Sequence, residues 1–148
     1  MSYHEKRAIV NMLSSILITA AYSVYLYLRY LAGGGAFIND PRFWGRAFLI
    51  FIPVSIVATI ITNIVFTIQY RITTKEEEPS ISDERDKLIE LKGNRSALYT
   101  FSIGVVLAML TLVLGMPLYA MFITIIYTGL LSSLVDEFTQ FTLYSRGF

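Results

Sequence analysis

Residues 48–66 read FLIFIPVSIVATIITNIVF, a stretch without a single formally charged side chain. Runs of about 18 or more such residues match a hydrocarbon layer of about 30 Å at 1.5 Å rise per residue, and are read as membrane spans. Lipid offers the backbone no water, so a segment of this length must bond within itself and is predicted to be a helix. Period-2 alternation is lacking, which sets aside a closed barrel.

Three further segments share this character. The expected spans cover about residues 8–31, 43–70, 97–115 and 118–135. Gly33-Gly34-Gly35 closes the first, and Asn39-Asp40-Pro41 makes a turn into the second. Gly115-Met116-Pro117 is a minimal connector, with glycine ending one helix and proline opening the next. Glu5, Lys6 and Arg7 precede an apolar run too long for a signal-peptide core, with no clear small-residue cleavage site after it, so the first segment reads as a retained helix. The whole chain supports this reading. Of 148 residues, 55% are hydrophobic and 16% charged, against about a quarter charged in soluble domains. The expected architecture is all-α, a four-transmembrane-helix bundle forming one integral membrane domain over residues 1–148.

Orientation follows from lysine and arginine. Lys6, Arg7, Arg71, Lys75, Arg85, Lys87, Lys92, Arg95 and Arg146 fall on the side shared by both termini and the middle loop. Only Arg29, Arg42 and Arg46 fall on the other. The reading is a multi-pass protein of the cytoplasmic (inner) membrane with both termini in the cytoplasm.

The charge is concentrated in SDERDKLIELKGNR, residues 82–95, within a cytoplasmic segment 71–96. Ser80 or Ser82 suits an N-cap. Asp83, Glu84 and Asp86 then fall in the first turn, where their charge meets the positive helix end. The helix is expected to lead into, or be continuous with, span three. Asp136 and Glu137 sit at the C-terminal end of span four, which the helix dipole makes unfavourable for acids. Arg85 or Arg95 is therefore expected to pair with one of them, clamping the middle loop to span four.

Inside the spans, polar residues recur at helical spacing. Asn11, Ser15, Thr19 and Tyr22 mark span one; Ser55, Thr59, Asn63 and Thr67 mark span two; Thr124, Thr128, Ser132 and Asp136 mark span four. Span three carries a seam of Thr100, Gly104, Ala108, Thr111 and Gly115. Such stripes serve interhelical packing, and small residues let helices approach closely. Asn11, Ser55, Thr59, Asn63, Thr128 and Ser132 are the intramembrane packing candidates, and the span-three seam is compatible with dimerisation. Tyr22, Tyr25, Tyr27, Tyr30 and Trp44 at one interface, with Tyr3, Tyr70, Tyr99 and Tyr144 at the other, read as anchoring belts.

Chemistry is thinly represented. Cysteine is absent and His4 is the single histidine, so disulfides, thiolate sites and histidine metal clusters have no basis. No serine has a histidine placed to activate it, and no phosphate-binding glycine loop occurs. The acids lack calcium-loop spacing. No enzyme activity and no cofactor are expected, and a net charge of +1 gives no general attraction to nucleic acid.

MSYHEK at the start, DERDKLIELKGNR in the middle and LYSRGF at the end resemble a family of small four-span bacterial and archaeal membrane proteins catalogued as a domain of unknown function. The resemblance implies the same four-span topology. It singles out Asp83, Glu84, Arg85, Asp86, Ile89, Glu137, Tyr144, Arg146 and Gly147, and Ser145 stands where an additional arginine is usual. Asp83, Glu84, Arg85, Asp86, Arg95, Asp136, Glu137, Tyr144 and Arg146 form the candidate cytoplasmic interaction or clamp set. The expected function is association on the cytoplasmic side, with a second copy (a dimer) or with another protein, in a chain whose other partner is the lipid bilayer. The alternative is an oligomeric pathway for a small solute or ion, for which Ser55, Thr59, Asn63 and the span-four hydroxyls would line a common cavity.

Overall fold

The computed structural model describes residues 1–76 and 83–147 and consists of four helices: α1 (Tyr3–Ala32), α2 (Pro41–Thr74), α3 (Glu84–Val113) and α4 (Leu118–Ser145). No strand occurs among the described residues. Each helix is long and apolar enough to cross a membrane, which makes this a multi-pass membrane architecture. The helices overrun their apolar stretches at the end where α1 begins, α2 ends, α3 begins and α4 ends, called here the terminal end.

Local chemistry sets the boundaries. Ser2 and Glu5 form a capping box at the start of α1, so the helix begins well before the apolar run. Asp40 caps α2, with Pro41 in its first turn. The start of α3 differs from expectation. Asp83 is its N-cap, in a capping box with Asp86; Ser80 and Ser82 lie outside the described residues, as do residues 77–79. From that cap α3 runs unbroken to Val113, so the charged block and span three are one rod of 30 residues, about 45 Å long. It ends in a Schellman turn. Met116 N–H donates to Thr111 C=O and Gly115 N–H to Leu112 C=O, with Gly115 at φ 73° as that turn requires. Pro117 then caps α4.

The helices pack in the order α2–α1–α4–α3. The α3–α4 contact is the most extensive, α1 touches α4 and α2, α2 barely reaches α4, and the α2 and α3 backbones do not meet. Small residues explain the tight α3–α4 seam. Gly93, Gly104 and Ala108 are buried there along with Ile89, which is fully enclosed. A Cβ on Gly104 would overlap the Thr128 side chain, and one on Gly93 would overlap the Asp136 carboxylate. Ser132 donates to Ala97 C=O across the same seam at 2.8 Å. Gly104 and Ala108 of the span-three seam are thus packed inside the chain against α4 rather than left outward.

Two belts also divide. Tyr25, Tyr27, Tyr30 and Tyr99 are exposed as anchors should be, but Tyr3, Tyr22 and Trp44 are buried between helices. The Tyr22 hydroxyl donates to Ala47 C=O on α2, a bond that holds the far half of the α1–α2 pair.

Candidate functional site at the terminal end

Two tiers of contacts link all four helices at the terminal end, in their packing order. In the deeper tier, Arg7 Nε on α1 donates to Asn63 Oδ1 on α2 at 3.2 Å. One turn further on, Asn11 Nδ2 donates to Glu137 Oε1 on α4 at 2.9 Å. Asp136 points the other way, toward Gly93 of α3, and accepts from Gln140 Nε2 at 2.8 Å. Neighbouring helix residues lie about 100° apart, so adjacent acids serve different partners. Glu137 faces α1 and Asp136 faces α3.

The outer tier is largely aromatic. Tyr3 of α1 lies 3.4 Å from the Thr67 hydroxyl and edge-on to Tyr70, both on α2. The His4 ring stacks on Tyr144 of α4, with centroids 4.6 Å apart and planes within 8°. Tyr144 donates its phenol proton to Asp86 Oδ1 at 3.2 Å, and His4 Nε2 lies 3.9 Å from Asp86 Oδ2. Asp86 also closes the capping box, so one carboxylate both starts α3 and ties it to α1 and α4.

Electrostatics follow from burial. Glu137 lies beyond the apolar run of α4 that ends at Val135. Burial pushes its carboxyl from an ordinary 4.5 up to about 7; the Asn11 bond opposes the rise, the Asp136 charge adds to it, and the Arg7 charge opposes it. Burial, reinforced by the Asp86 charge, pushes the Tyr144 phenol up to about 12, so it remains a donor. The buried Asn11 Oδ1 has no hydrogen-bond partner among the described residues.

The expected clamp is built from other groups. Among the described residues no lysine or arginine nitrogen comes within 4.0 Å of Asp136 or Glu137; the contact that forms at this end is His4 Nε2 to Asp86 Oδ2. Arg95 sits two residues from Gly93, on the opposite face of α3, and donates to Tyr99 at 3.1 Å. Arg85 is exposed, as are Asp83, Glu84 and Arg146. What steadies the acids is a pair of amides, Asn11 of α1 on Glu137 and Gln140 of α4 on Asp136. Of the residues singled out by resemblance, Asp86, Ile89 and Tyr144 gather at the α3–α4 junction and Glu137 at the neighbouring α1–α4 contact.

The intramembrane candidates separate as well. Asn11 and Asn63 bond between helices, Ser132 crosses to α3, and Thr128 is buried against Gly104. Ser55 and Thr59 instead return their hydroxyls to the α2 carbonyls of Ile52 and Ser55, and Thr59 is exposed. Polar α2 positions cross to α1 elsewhere, through the 3.0 Å Ser14–Thr62 contact. Ser55 and Thr59 are therefore not brought together with the span-four hydroxyls: Thr128 and Ser132 turn to α3, Thr124 bonds the Ala120 carbonyl of its own helix, and Ser133 meets Ser15 of α1.

His4, Arg7 and Gln140 were not evident as site residues. Gln140 and Tyr144 continue the every-fourth-residue series of Thr124, Thr128, Ser132 and Asp136, and that period is the signal that finds them. His4 and Arg7 carry no comparable mark, because their partners lie on distant helices. Among the described residues no group of three or more histidine or acidic side chains is placed to hold a metal. No protein-family model, no curated protein and no solved structure matches the chain.

Proposed function

We propose that this chain is a non-enzymatic protein of the cytoplasmic membrane that acts by association, with a second copy or with another protein, through the water-side half of α3. The observation that carries this is a pair of leucines. Leu88 and Leu91 are 51% and 63% exposed on the stretch of α3 that precedes its apolar run. On the opposite face of the same turns, Ile89 and Gly93 are buried against α4. Apolar side chains facing lipid are unremarkable, whereas this pair on a charged segment outside hydrocarbon offers apolar area that a partner would cover. Glu84, Arg85 and Arg95 border them, also exposed, and add charge selectivity. The two-tier clasp serves this surface by holding the protruding half of α3 upright on α1 and α4. With both termini inside, the surface faces the cytoplasm, as lysine and arginine placement favours.

The test is cross-linking and pull-down from native membranes. Leu88→Ser with Leu91→Ser, and separately Arg85→Ala, should lower partner recovery about tenfold while leaving the thermal midpoint in detergent unchanged, because these side chains are exposed. Undiminished recovery with the leucine pair replaced would sink the proposal. Since the chain has no cysteine, a single cysteine introduced at Leu91 also reports its side of the membrane by impermeant thiol labelling.

A further inference from the structure

At the end opposite the termini, a cavity of about 450 Å³ opens between α1 and α4, roofed by the 33–40 connector and the start of α2. That volume lies within the range of about 300–1,000 Å³ typical of small-molecule sites. Its walls include the rings of Tyr27, Tyr30, Phe37, Phe43, Trp44 and Tyr127. None of the lining side chains carries a formal charge. Three of these rings are held by their neighbours. Trp44 is only 3% exposed, donates from Nε1 to Ile38 C=O at 2.6 Å, and stacks on Phe122 with planes within 4°. Phe37 and Phe43 pack with centroids 4.6 Å apart. A slot of fixed flat faces suits a rigid ring better than a flexible acyl chain, which would lose rotational freedom to fill it.

Proton counting gives the slot a polarity. Ser23 donates its hydrogen to Thr19 C=O at 2.8 Å, so across the 3.0 Å contact between Ser23 and Tyr127 the tyrosine must be the donor. Its hydrogen is then committed, and the Tyr127 oxygen keeps a lone pair for another donor. The geometry points to this cavity as a binding site for an uncharged, lipid-soluble ring compound bearing a hydroxyl group, which donates to Tyr127 while the ring lies among the aromatic walls.

Trp44 is the only tryptophan in the chain, so 5-fluorotryptophan labelling yields one fluorine resonance at the cavity wall. The protein in lipid nanodiscs is titrated with 2-naphthol and, separately, with 2-methoxynaphthalene, which has the same ring and no donor. The expected result is a saturable shift of the Trp44 signal with 2-naphthol, at an apparent affinity about tenfold tighter than with the methyl ether. Ile123→Phe and Ser23→Leu narrow the cavity from α4 and α1 respectively; each should abolish saturation or weaken it at least tenfold. A shift that grows linearly with no plateau means partitioning into lipid only and overturns the proposal. So does an unaltered plateau in whichever filled variant folds, or equal affinity for naphthol and its ether. Continuous occupancy by a lipid chain would show as a Trp44 signal that changes with nanodisc acyl composition and not with naphthol, and it too would overturn the assignment.

Discussion

Gly104→Ala is the sharpest probe of how this molecule holds together. The added Cβ would overlap Thr128 on α4, meeting its Cβ, Cγ2 and Oγ1 together. Thr128 is itself buried, and a β-branched residue in a helix has little rotamer freedom. The helices must therefore separate locally, and overpacking of this kind costs about 1–3 kcal/mol. Alanine in place of glycine returns about 0.5–1 kcal/mol through helix propensity. The net expectation is a loss centred on about 1 kcal/mol and reaching at most about 2.5 kcal/mol, which reversible unfolding in mixed micelles resolves. Thr128→Ala removes the obstructing atoms, so the double variant should recover to within about 0.5 kcal/mol of Thr128→Ala alone, a coupling that only contacting residues show. Gly129→Ala is the internal control. A Cβ there meets nothing within 4 Å, so it should be neutral or stabilising by up to about 1 kcal/mol. If Gly104→Ala is as stable as wild type, or if Thr128→Ala fails to rescue it, the α3–α4 seam is not packed as described.

Three further outcomes are expected. Because the folded Glu137 carboxyl titrates near 7 rather than 4.5, the folded state binds the extra proton between those values; stability is fullest below about 4.5 and falls as pH rises through about 7. Glu137→Gln should flatten that slope in thermal melts across pH 4–8, and an unchanged slope would assign it to another group. Tyr144→Phe removes the donor to Asp86 at 3.2 Å, a loss of about 0.5–1.5 kcal/mol, and should speed amide exchange in the first two turns of α3 while leaving residues 104–113 protected. Arg7→Ala breaks the Asn63 bond and withdraws the positive charge that opposes the rise at Glu137; the Glu137 titration, followed by infrared spectroscopy, should move to higher pH.

How legible the fold was depended on the kind of signal. The spans, the Gly115–Pro117 turn and the helical course of the charged block are local properties, carried by apolar run length, glycine and proline punctuation, and acids at a helix start. They could be read along the chain. The partners of Asp136 and Glu137 could not. Electrostatics alone made a basic residue the natural answer, and the chain uses the Asn11 amide and Gln140 instead. The glycine seam was visible too, but its occupant was not, since a second copy and α4 leave the same imprint on α3. Ser55 and Thr59 misled for a related reason. A hydroxyl can satisfy itself on the carbonyl one turn back, and nothing in its spacing reveals that choice.

What the order of residues settled by itself is therefore the set of four rods, their lengths, and where water must begin, because solvation of the backbone and of charge depends only on near neighbours. What the tertiary structure decided is which faces meet. The row α2–α1–α4–α3 puts Asp86 beside His4 and Tyr144, turns Gly104 onto Thr128, and leaves Leu88 and Leu91 outward. Those pairings join positions far apart in sequence. They depend on close steric fit between whole helices, a quantity no single stretch of the chain contains.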